Sequence, residues 1–426
     1  MERSSPRELL MQMARAAIDA AAPRLCLPAH LPAPPRRGRT VIVGAGKAAA
    51  EMARTTEEHW PRDATLGGLV VTRYGHAVPC TRIQVVEASH PLPDRAGIEA
   101  AQRVLELVRD LSSDDLALVL LSGGASSLLA LPPAGISLAD KQQVGRALLR
   151  CGASIREINC VRKHLSAIKG GRLAAACSPA RVVTLAISDV PGDDPAVIGS
   201  GPTLADPSTC GEARAILERY RLAIPAHVAD YLASAAAETI KPGDPRLEGA
   251  VTTIVASARE SLAAALRVAR AHDLEPLVLG DSIEGDAATL GRHHAALALD
   301  LSRAARGPRV ILSGGETTVA VRGPGRGGRN TEYLLALASA LRGHPRISAI
   351  AIDTDGIDGT EDNAGAFVVP DTLARATALG LDAGSHLVAN DAYSFFRAIG
   401  DLVVTGPTRT NVNDFRAIHI GGADST

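Results

Sequence analysis

The chain has 426 residues, enough for two or three domains and a large buried core. Its 45 basic and 46 acidic residues nearly cancel, and only 2% of its residues are aromatic. The charge balance excludes nucleic-acid binding through excess positive charge, and the scarcity of aromatic rings excludes a stacking platform for single strands. We therefore expect a globular protein with no nucleic-acid partner.

The six cysteines are scattered without a CxxC pair, which predicts reduced thiols and neither disulfides nor a zinc site. The first 22 residues lack the apolar centre of a signal peptide. The longest apolar runs, such as Leu116–Leu121, are far shorter than the roughly 20 residues that span a bilayer. These patterns predict a cytoplasmic protein with no membrane association.

Short β-branched runs alternate with alanine- and leucine-rich helical segments in the first part of the chain. A helix is predicted over Pro6–Ala21, before a proline-rich stretch. The strands are predicted over Thr40–Val43, Gly68–Thr72, Ile83–Glu87, Leu116–Leu121 and Val182–Ile187. Helices are predicted between most of these strands. The alternation is typical of a mostly parallel sheet with helices on both faces.

A second proline- and glycine-rich break at Lys241–Arg246 predicts a domain boundary, after which the alternation resumes. The later strands are predicted over Val251–Val255, Pro276–Leu279, Arg309–Leu312, Ala349–Ile352 and Leu402–Thr405. We predict two α/β domains, over residues 38–240 and 247–426, with a cleft between them. Residues 1–37 would join the two domains.

The first strand runs into a glycine-rich turn that ends in Lys47. Gly44 and Gly46 would let backbone N–H groups converge on an anion, and Lys47 would add a positive charge. The turn is not a P-loop, because that motif needs glycine at Val41 and a hydroxyl residue at Ala48. The alternative is an ordinary strand-to-helix turn with a surface lysine.

A second turn with the composition of a phosphate-binding nest follows Leu116–Leu121. Its glycines and hydroxyl residues offer N–H and O–H donors, from Ser122, Gly123, Gly124, Ser126 and Ser127. The stretch LVLLSGGASSLL around it resembles RVILSGGETTVA at 309–320, which predicts a similar turn after the strand at Arg309–Leu312. The later turn carries Glu316, so it suits a hydroxyl or a metal better than a phosphate. A third glycine-rich turn contains Gly201.

Aspartates follow two predicted strands beside glycine-rich turns. Asp189 and Asp193 follow Val182–Ile187, and Asp355 follows Ala349–Ile352. In magnesium-nucleotide chemistry one or two such carboxylates hold the metal, and another orients or deprotonates a hydroxyl. For each aspartate the alternative is turn formation or helix capping.

The glycine pair before Arg329 would allow this arginine to reach a phosphoryl group or a carboxylate. The alternative is a solvated loop. His90 lies in a distinctive turn at a strand end, whereas Asn390 and Asn413 add amides at another.

Eight segments, read together, resemble the class II glycerate kinase family, whose C-terminal part is the MOFRL domain. These segments are VGAGKAAAEMA (43–53), SHPLPD (89–94), LLSGGASSLL (120–129), INCVRKHLSAIKGGRLA (158–174), ISDVPGDDPAVIGSGPT (187–203), GGRNTE (327–332), DTDGIDGTEDNAGA (353–366) and the TGPT…TNVND tail. The resemblance extends over about residues 7–420. Two positions depart from the usual pattern of the family: this chain has Thr331 where glutamine is usual, and Arg409 where glycine is usual.

The resemblance implies a Rossmann-like N-terminal parallel sheet and a smaller α/β domain, with the active site between them. It implies phosphorylation of D-glycerate by ATP to 2-phosphoglycerate, a divalent cation such as Mg²⁺, and catalytic roles for Lys47 and Arg329. We predict that Lys47 and the 122–127 turn hold phosphate oxygens and that Asp189 and Asp193 bind Mg²⁺. Arg329 would contact the phosphoryl group or the substrate carboxylate, and either Asp355 or Glu316 would orient the attacking hydroxyl.

Three alternatives stay open. The first is an NAD(P)H-dependent hydroxypyruvate reductase, since Gly44–Ala49 fits GxGxxA. The acid expected at the end of the next strand is missing, and Arg73 lies in that segment and would favour NADP. The second is a kinase of another small hydroxy acid, and the third is a non-catalytic sugar-phosphate sensor. An exposed apolar helix would support a homodimer.

Overall fold

The computed structural model describes residues 5–304 and 307–422. Within this part the chain forms two units. One is continuous and contains Cys26–Val255, while the other combines the residues up to Leu25 with those from Ala256 onward. Each unit is built around a sheet of six strands. No described helix has both the length and the apolar character that crossing a membrane requires.

The first sheet is made of consecutive strands from the first part of the chain. They are β1 (Thr40–Ala45), β2 (Leu66–Arg73), β3 (Ile83–Ala88), β4 (Leu116–Leu121), β5 (Arg181–Ile187) and β6 (Val251–Ala256). Their order in space is β3-β2-β1-β4-β5-β6, and the pairings among β1 to β5 are parallel. Because β1 and β4 are buried along their whole length, their sequences are nearly continuous apolar runs.

The order 3-2-1-4-5-6 is that of the Rossmann fold, in which the chain turns one way from β1 to β2 and the other way to β4. Ligands of such sheets bind beyond the carboxyl ends of the strands at this switch point. The segments after β1 and β4 therefore have the position that a ligand site requires.

The described helices up to residue 255 are mostly short. They are α1 (Pro6–Ala20), α2 (Pro23–Cys26), α3 (Ala49–His59), α4 (Arg95–Arg109), α5 (Ala125–Leu128), α6 (Leu138–Arg150), α7 (Ile155–His164), α8 (Arg172–Cys177), α9 (Cys210–Arg219) and α10 (Ala226–Ala233). Capping boxes begin α6, α7 and α9, where a Ser or Thr side chain and a carboxylate three residues later bond each other's backbone N–H. These local signals explain why α6, α7 and α9 begin where they do.

The second sheet is mixed. Its strands and the short pair beside it are β7 (Glu275–Gly280), β8 (Gly285–Asp286), β9 (Arg309–Gly315), β10 (Thr317–Thr318), β11 (Ile347–Asp353), β12 (Gly365–Val368), β13 (Leu402–Val403) and β14 (Asp414–Ile420). Six of them form the order β13-β12-β11-β14-β9-β7, and β8 pairs with β10. The last strand, β14, lies between β11 and β9 and is antiparallel to both.

Six helices accompany the second sheet. They are α11 (Ala258–Ala271), α12 (Ala287–Ala304), α13 (Arg329–Leu341), α14 (Thr372–Ala378), α15 (Ala383–Val388) and α16 (Ala392–Ala398). Nearly every residue of the first three turns of α13 is buried, from Asn330 to Ala338. Its N-terminal turn is therefore fixed in a polar part of the interior.

The N-terminal helix α1 packs in the same core as the second sheet. Leu10, Met13 and Ala17 are fully buried and share that core with Leu262 of α11 and Phe415 of β14. The Ser261 hydroxyl donates a hydrogen bond to the Ala17 carbonyl over 2.7 Å. This packing explains why the first residues belong to the unit formed by the end of the chain.

The predicted turn after Arg309–Leu312 is wrong. The strand β9 continues through Gly315, because Ser313, Gly314 and Gly315 pair with Arg416, Phe415 and Asp414 of β14. At the matching place in the first sheet, Gly124 adopts φ 85° and the chain turns into α5. The two similar sequences therefore form different structures. After Leu312 the chain stays in a strand because the neighbouring β14 extends far enough to pair with it, whereas after β4 the chain turns into α5.

Candidate active site

The turns after β1 and β4 lie side by side at the switch point and hold each other in place. The Lys47 amide donates to the Gly123 carbonyl over 2.8 Å, and the Ala48 amide donates to Ser122 Oγ over 2.9 Å. Ser122 is fully buried, whereas Lys47 is half-buried. The structure therefore brings together Lys47 and the 122–127 turn, as the parallel strand pattern predicts.

Glycines are required where the two turns approach each other. A Cβ at Gly46 would lie 2.0 Å from Ser122 Oγ, and one at Gly124 would lie 2.9 Å from His90 Cδ2 and 3.6 Å from Lys47 Cγ. His90 consequently lies beside the same turn. Gly44 is different: it is inside β1, where a Cβ would lie 1.9 Å from the Leu120 carbonyl, so close packing of β1 on β4 explains this glycine.

The 122–127 turn extends to a third segment with unusual backbone geometry. Gly199, Ser200 and Gly201 have φ values of 60°, 61° and 58°, and a serine rarely adopts such a value. The Ser200 hydroxyl lies 2.9 Å from that of Ser126 and donates to Asn159 Oδ1 over 3.3 Å. Ser127 donates to the Gly124 carbonyl over 3.0 Å. Three glycine-rich segments thus meet, and strained backbone of this kind occurs often at functional sites.

Asp189 and Asp193 lie in the loop after β5, and both are half-buried. Asp193 has φ 56°, and its amide donates to the Val190 carbonyl over 3.0 Å. Across residues 5–304 and 307–422, no three His, Cys, Asp or Glu side chains are grouped to hold a metal ion. Magnesium bound with a nucleotide needs only one or two protein carboxylates in addition to phosphate oxygens, so these two residues are sufficient in number.

A second polar cluster lies in the other unit, where Arg329 begins α13 and contacts three carboxylates. Its Nε donates to Asp414 over 2.7 Å, Nη1 to Glu316 over 2.7 Å and Nη2 to Asp353 over 2.8 Å. Burial alone would lower the pKa of this guanidinium, but Asp414, Asp353 and Glu316 raise it above its ordinary value. Arg329 is therefore a fixed cation and not part of a mobile loop.

Asp414 connects this cluster to the sheet. Its side chain is fully buried and accepts hydrogen bonds from Arg329, from Asn330 Nδ2 over 2.8 Å and from Arg416. Arg416 is only 1% exposed and also donates to the Gly314 carbonyl over 3.4 Å. Two arginines therefore share one buried carboxylate, which fixes the first turn of α13 against β14.

Asp358 occupies the N-terminal end of α13. Its two carboxylate oxygens accept from the Asn330 and Thr331 amides, each over 2.9 Å, and from the Thr331 hydroxyl over 2.7 Å. Burial raises the pKa of Asp358 above its ordinary value, against the effect of these bonds. Thr331, which departs from the family pattern, is fully buried and bonds the aspartate that caps the helix.

Asp355 and Asn413, which the sequence predicts as site residues, lie next to Asp353 and Asp414 of the Arg329 cluster. Asp355 is 1% exposed, and its amide donates to Asp353 Oδ1 over 3.0 Å. Asn413 precedes Asp414 with φ 64°, and the Asn413 carbonyl accepts from the Thr354 hydroxyl over 2.7 Å. Arg409 also has a positive φ, of 62°, which is consistent with the glycine usual at that position.

Asn390 is connected to a buried acid. Its Oδ1 accepts from the Arg322 and Gly323 amides, and its Nδ2 donates to Glu332 over 3.4 Å. The pKa of Glu332 is raised to about 7, mainly by burial and also by the charges of Asp286 and Asp358, against the lowering effect of the Asn390 bond. Asn390 thus anchors the loop before Arg329.

Sequence reasoning did not select Asp353, Asp414, Arg416 or Asn330 as site residues, although all four contribute to the Arg329 cluster. A signal was available for β14. The segment Asp414–Ile420 is rich in aromatic and β-branched residues and directly follows a turn-forming stretch, which is the pattern of a strand.

Known proteins resemble this chain in sequence and in fold. The family described as "Domain of unknown function (DUF4147)" matches residues 9–233, and the one described as "MOFRL family" matches residues 309–414. A protein of Agrobacterium vitis with the provisional name hydroxypyruvate reductase is 52% identical over 422 residues, covering 98% of this chain and 95% of its own. The D-glycerate 2-kinase of Thermotoga maritima is 38% identical over 414 residues, covering 96% of this chain and 97% of its own.

The crystal structure of a glycerate kinase from Thermotoga maritima has a TM-score of 0.87 to this chain at 37% identity, covering 97% of this chain and 99% of the other. These findings define a two-unit α/β enzyme of the kinase class, with a Rossmann-like sheet. The chain belongs to the class II glycerate kinase family, with a MOFRL domain in its C-terminal part. The predictions of fold class, family and kinase class are thereby confirmed.

Proposed function

We propose that this protein transfers the γ-phosphoryl group of ATP to the C2 hydroxyl of D-glycerate, giving 2-phosphoglycerate and ADP. The observation that carries the proposal is the pair of interlocked glycine turns at the switch point of a Rossmann-ordered sheet. Lys47 lies in one turn and the hydroxyls of Ser126 and Ser127 lie in the other. Such turns bind phosphate oxygens, and phosphoryl transfer depends mainly on positioning and charge neutralisation. The proposal agrees with the names of the kinase relatives.

In this proposal Lys47 and the 122–127 turn bind phosphate oxygens of ATP. Asp189 and Asp193 would hold Mg²⁺, which supplies further neutralisation of phosphate charge. The C2 oxygen forms a bond to the γ-phosphorus as the bond from that phosphorus to the bridging oxygen of ADP breaks. The hydroxyl proton passes to a carboxylate, for which Asp355 and Glu316 remain the candidates.

Arg329 is suited to bind a phosphoryl group or the substrate carboxylate. A guanidinium has five N–H donors, and the three ion pairs use three of them, so Nη1 and Nη2 each keep one more hydrogen. Its side chain is 20% exposed, and that of Glu316 is 46% exposed. A ligand anion could therefore approach on the Glu316 side while Asp353 and Asp414 hold the arginine in place.

The second candidate is the hydroxypyruvate reductase, because the relative from Agrobacterium vitis carries that provisional name. The strand order and the GxGxxA turn would also suit a dinucleotide. Against an NADH-dependent reductase, the end of β2 carries Arg73 in place of the acid that would bind the ribose. Gly44, the first glycine of the GxGxxA pattern, is required for the close packing of β1 on β4, so it does not by itself indicate a dinucleotide site.

The deciding experiment is a coupled ADP-release assay with ATP, Mg²⁺ and D-glycerate, with the product identified by phosphorus NMR. We expect ADP release and 2-phosphoglycerate. A parallel cuvette with hydroxypyruvate and NADH or NADPH tests the reductase. Oxidation of NADH or NADPH by hydroxypyruvate in this second assay, together with no ADP release in the first, would overturn the kinase proposal. A 3-phosphoglycerate product would overturn the proposed site of transfer.

Single variants test the two catalytic candidates. Lys47→Ala and Arg329→Ala should each lower the turnover rate roughly 30- to 1000-fold, since the loss of one charge clamp costs about 2–4 kcal/mol. The matched control is Arg326→Ala, because Arg326 lies in the same loop as Arg329 but has an exposed side chain that is paired with Glu361. This variant should keep near-full turnover. Exposed Arg62→Ala serves the same purpose for Lys47. Full turnover in a folded Lys47 or Arg329 variant would refute that residue's role.

A further inference from the structure

Three polar side chains of the first unit form a chain that leads from its interior to the 122–127 turn. Asn159 on α7 is 5% exposed, Ser200 is fully buried, and Ser126 in the turn is half-buried. The Ser200 hydroxyl donates to Asn159 Oδ1 over 3.3 Å, and 2.9 Å separates the hydroxyl oxygens of Ser200 and Ser126. We call these three residues the hydroxyl chain.

The direction of each bond in the hydroxyl chain follows from the number of hydrogens. A serine hydroxyl has one hydrogen to donate and two lone pairs that can accept. Ser200 uses its hydrogen in the bond to Asn159, because an amide oxygen can only accept. In the contact between the two serines, Ser126 must therefore donate and Ser200 must accept. The Ser126 hydrogen is consequently directed toward the buried Ser200, and the Ser126 oxygen keeps its lone pairs.

Ser127, the next hydroxyl of the turn, also donates its hydrogen within the protein. Its acceptor is the Gly124 carbonyl, over 3.0 Å. In this arrangement neither hydroxyl has a hydrogen left for a phosphate oxygen of a ligand. Both oxygens suit an electropositive partner instead, such as a metal cation or the hydrogen of a substrate hydroxyl.

The backbone at Ser200 has a conformation that glycine would adopt more easily. Ser200 has φ 61°, between Gly199 at 60° and Gly201 at 58°. This left-handed region is unfavourable for a residue with a Cβ. A glycine would relieve the strain but would lack the hydroxyl. The strain is therefore consistent with a requirement for the Ser200 hydroxyl, since such backbone occurs often at functional sites.

The segment between α7 and α8 fixes this backbone in place. The Lys169 ammonium donates to the Gly199 carbonyl over 3.2 Å, and the Gly170 amide donates to the Ser200 carbonyl over 3.3 Å. Gly199 also lies against the 122–127 turn, since a Cβ there would lie 3.2 Å from that of Ala125. The Ser200 hydroxyl therefore has a defined position relative to the turn.

We propose that Asn159 and Ser200 are positioning residues that direct the Ser126 hydrogen away from the ligand. Ser126 Oγ then contacts an electropositive group, which is either the divalent cation of the nucleotide or a hydroxyl hydrogen of D-glycerate. A hydroxyl oxygen is a suitable ligand for Mg²⁺, as in the Ser or Thr of a P-loop. The proposal rests on the proposed function, because it takes the turn as part of the site for nucleotide and substrate. Lys47 and the backbone of the turn would still bind phosphate oxygens.

The test uses the full chain and calorimetric titration with three probes: ADP with Mg²⁺, ADP with EDTA, and D-glycerate. If the partner is the cation, Ser126→Ala should weaken the binding of ADP with Mg²⁺ roughly tenfold; if it is a substrate hydroxyl, the same loss should appear with D-glycerate. Metal-free ADP should bind as tightly as before in both cases, because the Ser126 hydrogen does not contact its phosphates. An equal loss for metal-free ADP would show that Ser126 donates to phosphate and would overturn the proposal.

Variants of the two positioning residues test whether they act through Ser126. Ser200→Ala and Asn159→Leu should each reproduce the loss caused by Ser126→Ala. When Ser126 is already alanine, neither should weaken binding further, whereas independent effects would add and would contradict the proposal. Asn159→Asp keeps an acceptor oxygen at this position and should bind the probes like the wild type. Exposed Arg156→Leu on α7 is the matched control.

The pair Ser200→Ala and Ser200→Gly separates this role from a purely structural one. Both variants lack the hydroxyl, so both should show the same loss of binding. Ser200→Gly should melt at a higher temperature than Ser200→Ala, because glycine adopts a φ of 61° without strain. If the loss of binding follows the melting temperature instead, Ser200 acts only through the stability of its segment, and the proposal is wrong.

The outcomes also separate this inference from the proposed function. A folded Ser126→Ala variant that binds all three probes like the wild type would overturn the inference, even in an active kinase. A wild type that binds ADP and D-glycerate but releases no ADP would overturn the kinase reaction, and the comparison of probes would still decide the role of Ser126. A wild type that binds neither ADP nor D-glycerate would overturn both.

Discussion

Asp414 has an unusual position among the residues of this protein, because one buried carboxylate serves two arginines. Arg329 faces the site and Arg416 lies in the interior, at 1% exposure. A buried ion pair adds little stability compared with apolar packing, but its disruption leaves an uncompensated charge. The carboxylate is therefore more important for keeping Arg329 and α13 in place than its single charge suggests.

The replacement Asp414→Asn should lower the free energy of unfolding by about 3–5 kcal/mol, since it leaves the buried Arg416 without its counter-charge. Urea unfolding followed by circular dichroism measures the loss. The control is Asp300→Asn, in an exposed pair with Arg303, which should change stability by less than about 0.5 kcal/mol. Equal effects of the two substitutions would contradict this account of Asp414.

Glu332 should give the protein a measurable pH dependence. Its pKa is about 7 in the folded state, against an ordinary value of 4.5. Between these values the folded state holds a proton that the unfolded state releases, so stability falls as the pH rises from 4.5 to 7. Glu332→Gln removes this loss and can keep the bond from Asn390. At pH 8 the variant should be more stable than the wild type by on the order of 2 kcal/mol.

Urea unfolding of both proteins at pH 4.5 and pH 8 checks this expectation. The difference should nearly disappear at the lower pH, where the Glu332 carboxyl is protonated in the fold. Exposed Glu218→Gln is the control and should show no such difference. A Glu332→Gln variant that is less stable than the wild type at pH 8 would show that the charged form is stabilised in the fold.

At the scale of single residues, the sequence identified some members of the two polar clusters and missed others. Lys47, Ser122 and Gly124 could be selected because strand-end turns are local patterns, and adjacent parallel strands bring their ends together. Asp353 and Asp414 come from distant strands that pair antiparallel, and nothing within either segment shows the other. The residues that complete the Arg329 cluster therefore cannot be identified until the pairing of these strands is known. The catalytic and binding roles of the selected residues remain proposals.

At the scale of elements, α1 shows how packing decides to which unit a segment belongs. Its apolar face packs in one core with residues of α11, β9, β11 and β14. Leu10→Ala should destabilise the protein by about 2–5 kcal/mol, because Leu10 is fully buried in that core. Thermal unfolding measures the effect. Exposed Arg15→Ala on the same helix is the control, and equal melting temperatures for the two variants would exclude this packing role.

Most helices and strands of the first sheet could be predicted, because their apolar periods and capping residues are local. The prediction for Leu116–Leu121 matches β4, and that for Ile83–Glu87 differs from β3 by one residue. The position of β14 between β11 and β9 and the extension of β9 to Gly315 could not be obtained in the same way. Serine and glycine at 313–315 favour a turn when considered alone, and only the neighbouring β14 makes them strand residues.

At the scale of the whole molecule, alternation along the chain predicts α/β units but not the order of strands in space. The Rossmann order of the first sheet and the central antiparallel β14 of the second sheet are both results of long-range pairing. The assignment of the N-terminal helix to the second unit is of the same kind. Such contacts are set by which apolar faces cover each other, and local sequence patterns do not record them.

The division of the chain can be tested with fragments. Residues 26–255 contain β1 to β5 with their helices and most of β6, so this fragment should unfold cooperatively in urea. Residues 256–426 lack α1, which leaves Leu262 and Phe415 without their cover. This second fragment should gain stability when a peptide of residues 1–25 is added. A lack of response to the peptide, or a first fragment without a cooperative transition, would contradict the division.

The split origin of the second unit also has a consequence for synthesis on the ribosome. The helix α1 emerges first, but its partners on β9, β11 and β14 are translated about 300–400 residues later. At about 5–20 residues per second, the nascent chain carries this amphipathic helix for roughly 15–80 s before its binding surface exists. Residues 26–255 can fold during that interval. Slow translation or a shortage of chaperones should therefore impair the assembly of the second unit before that of the first.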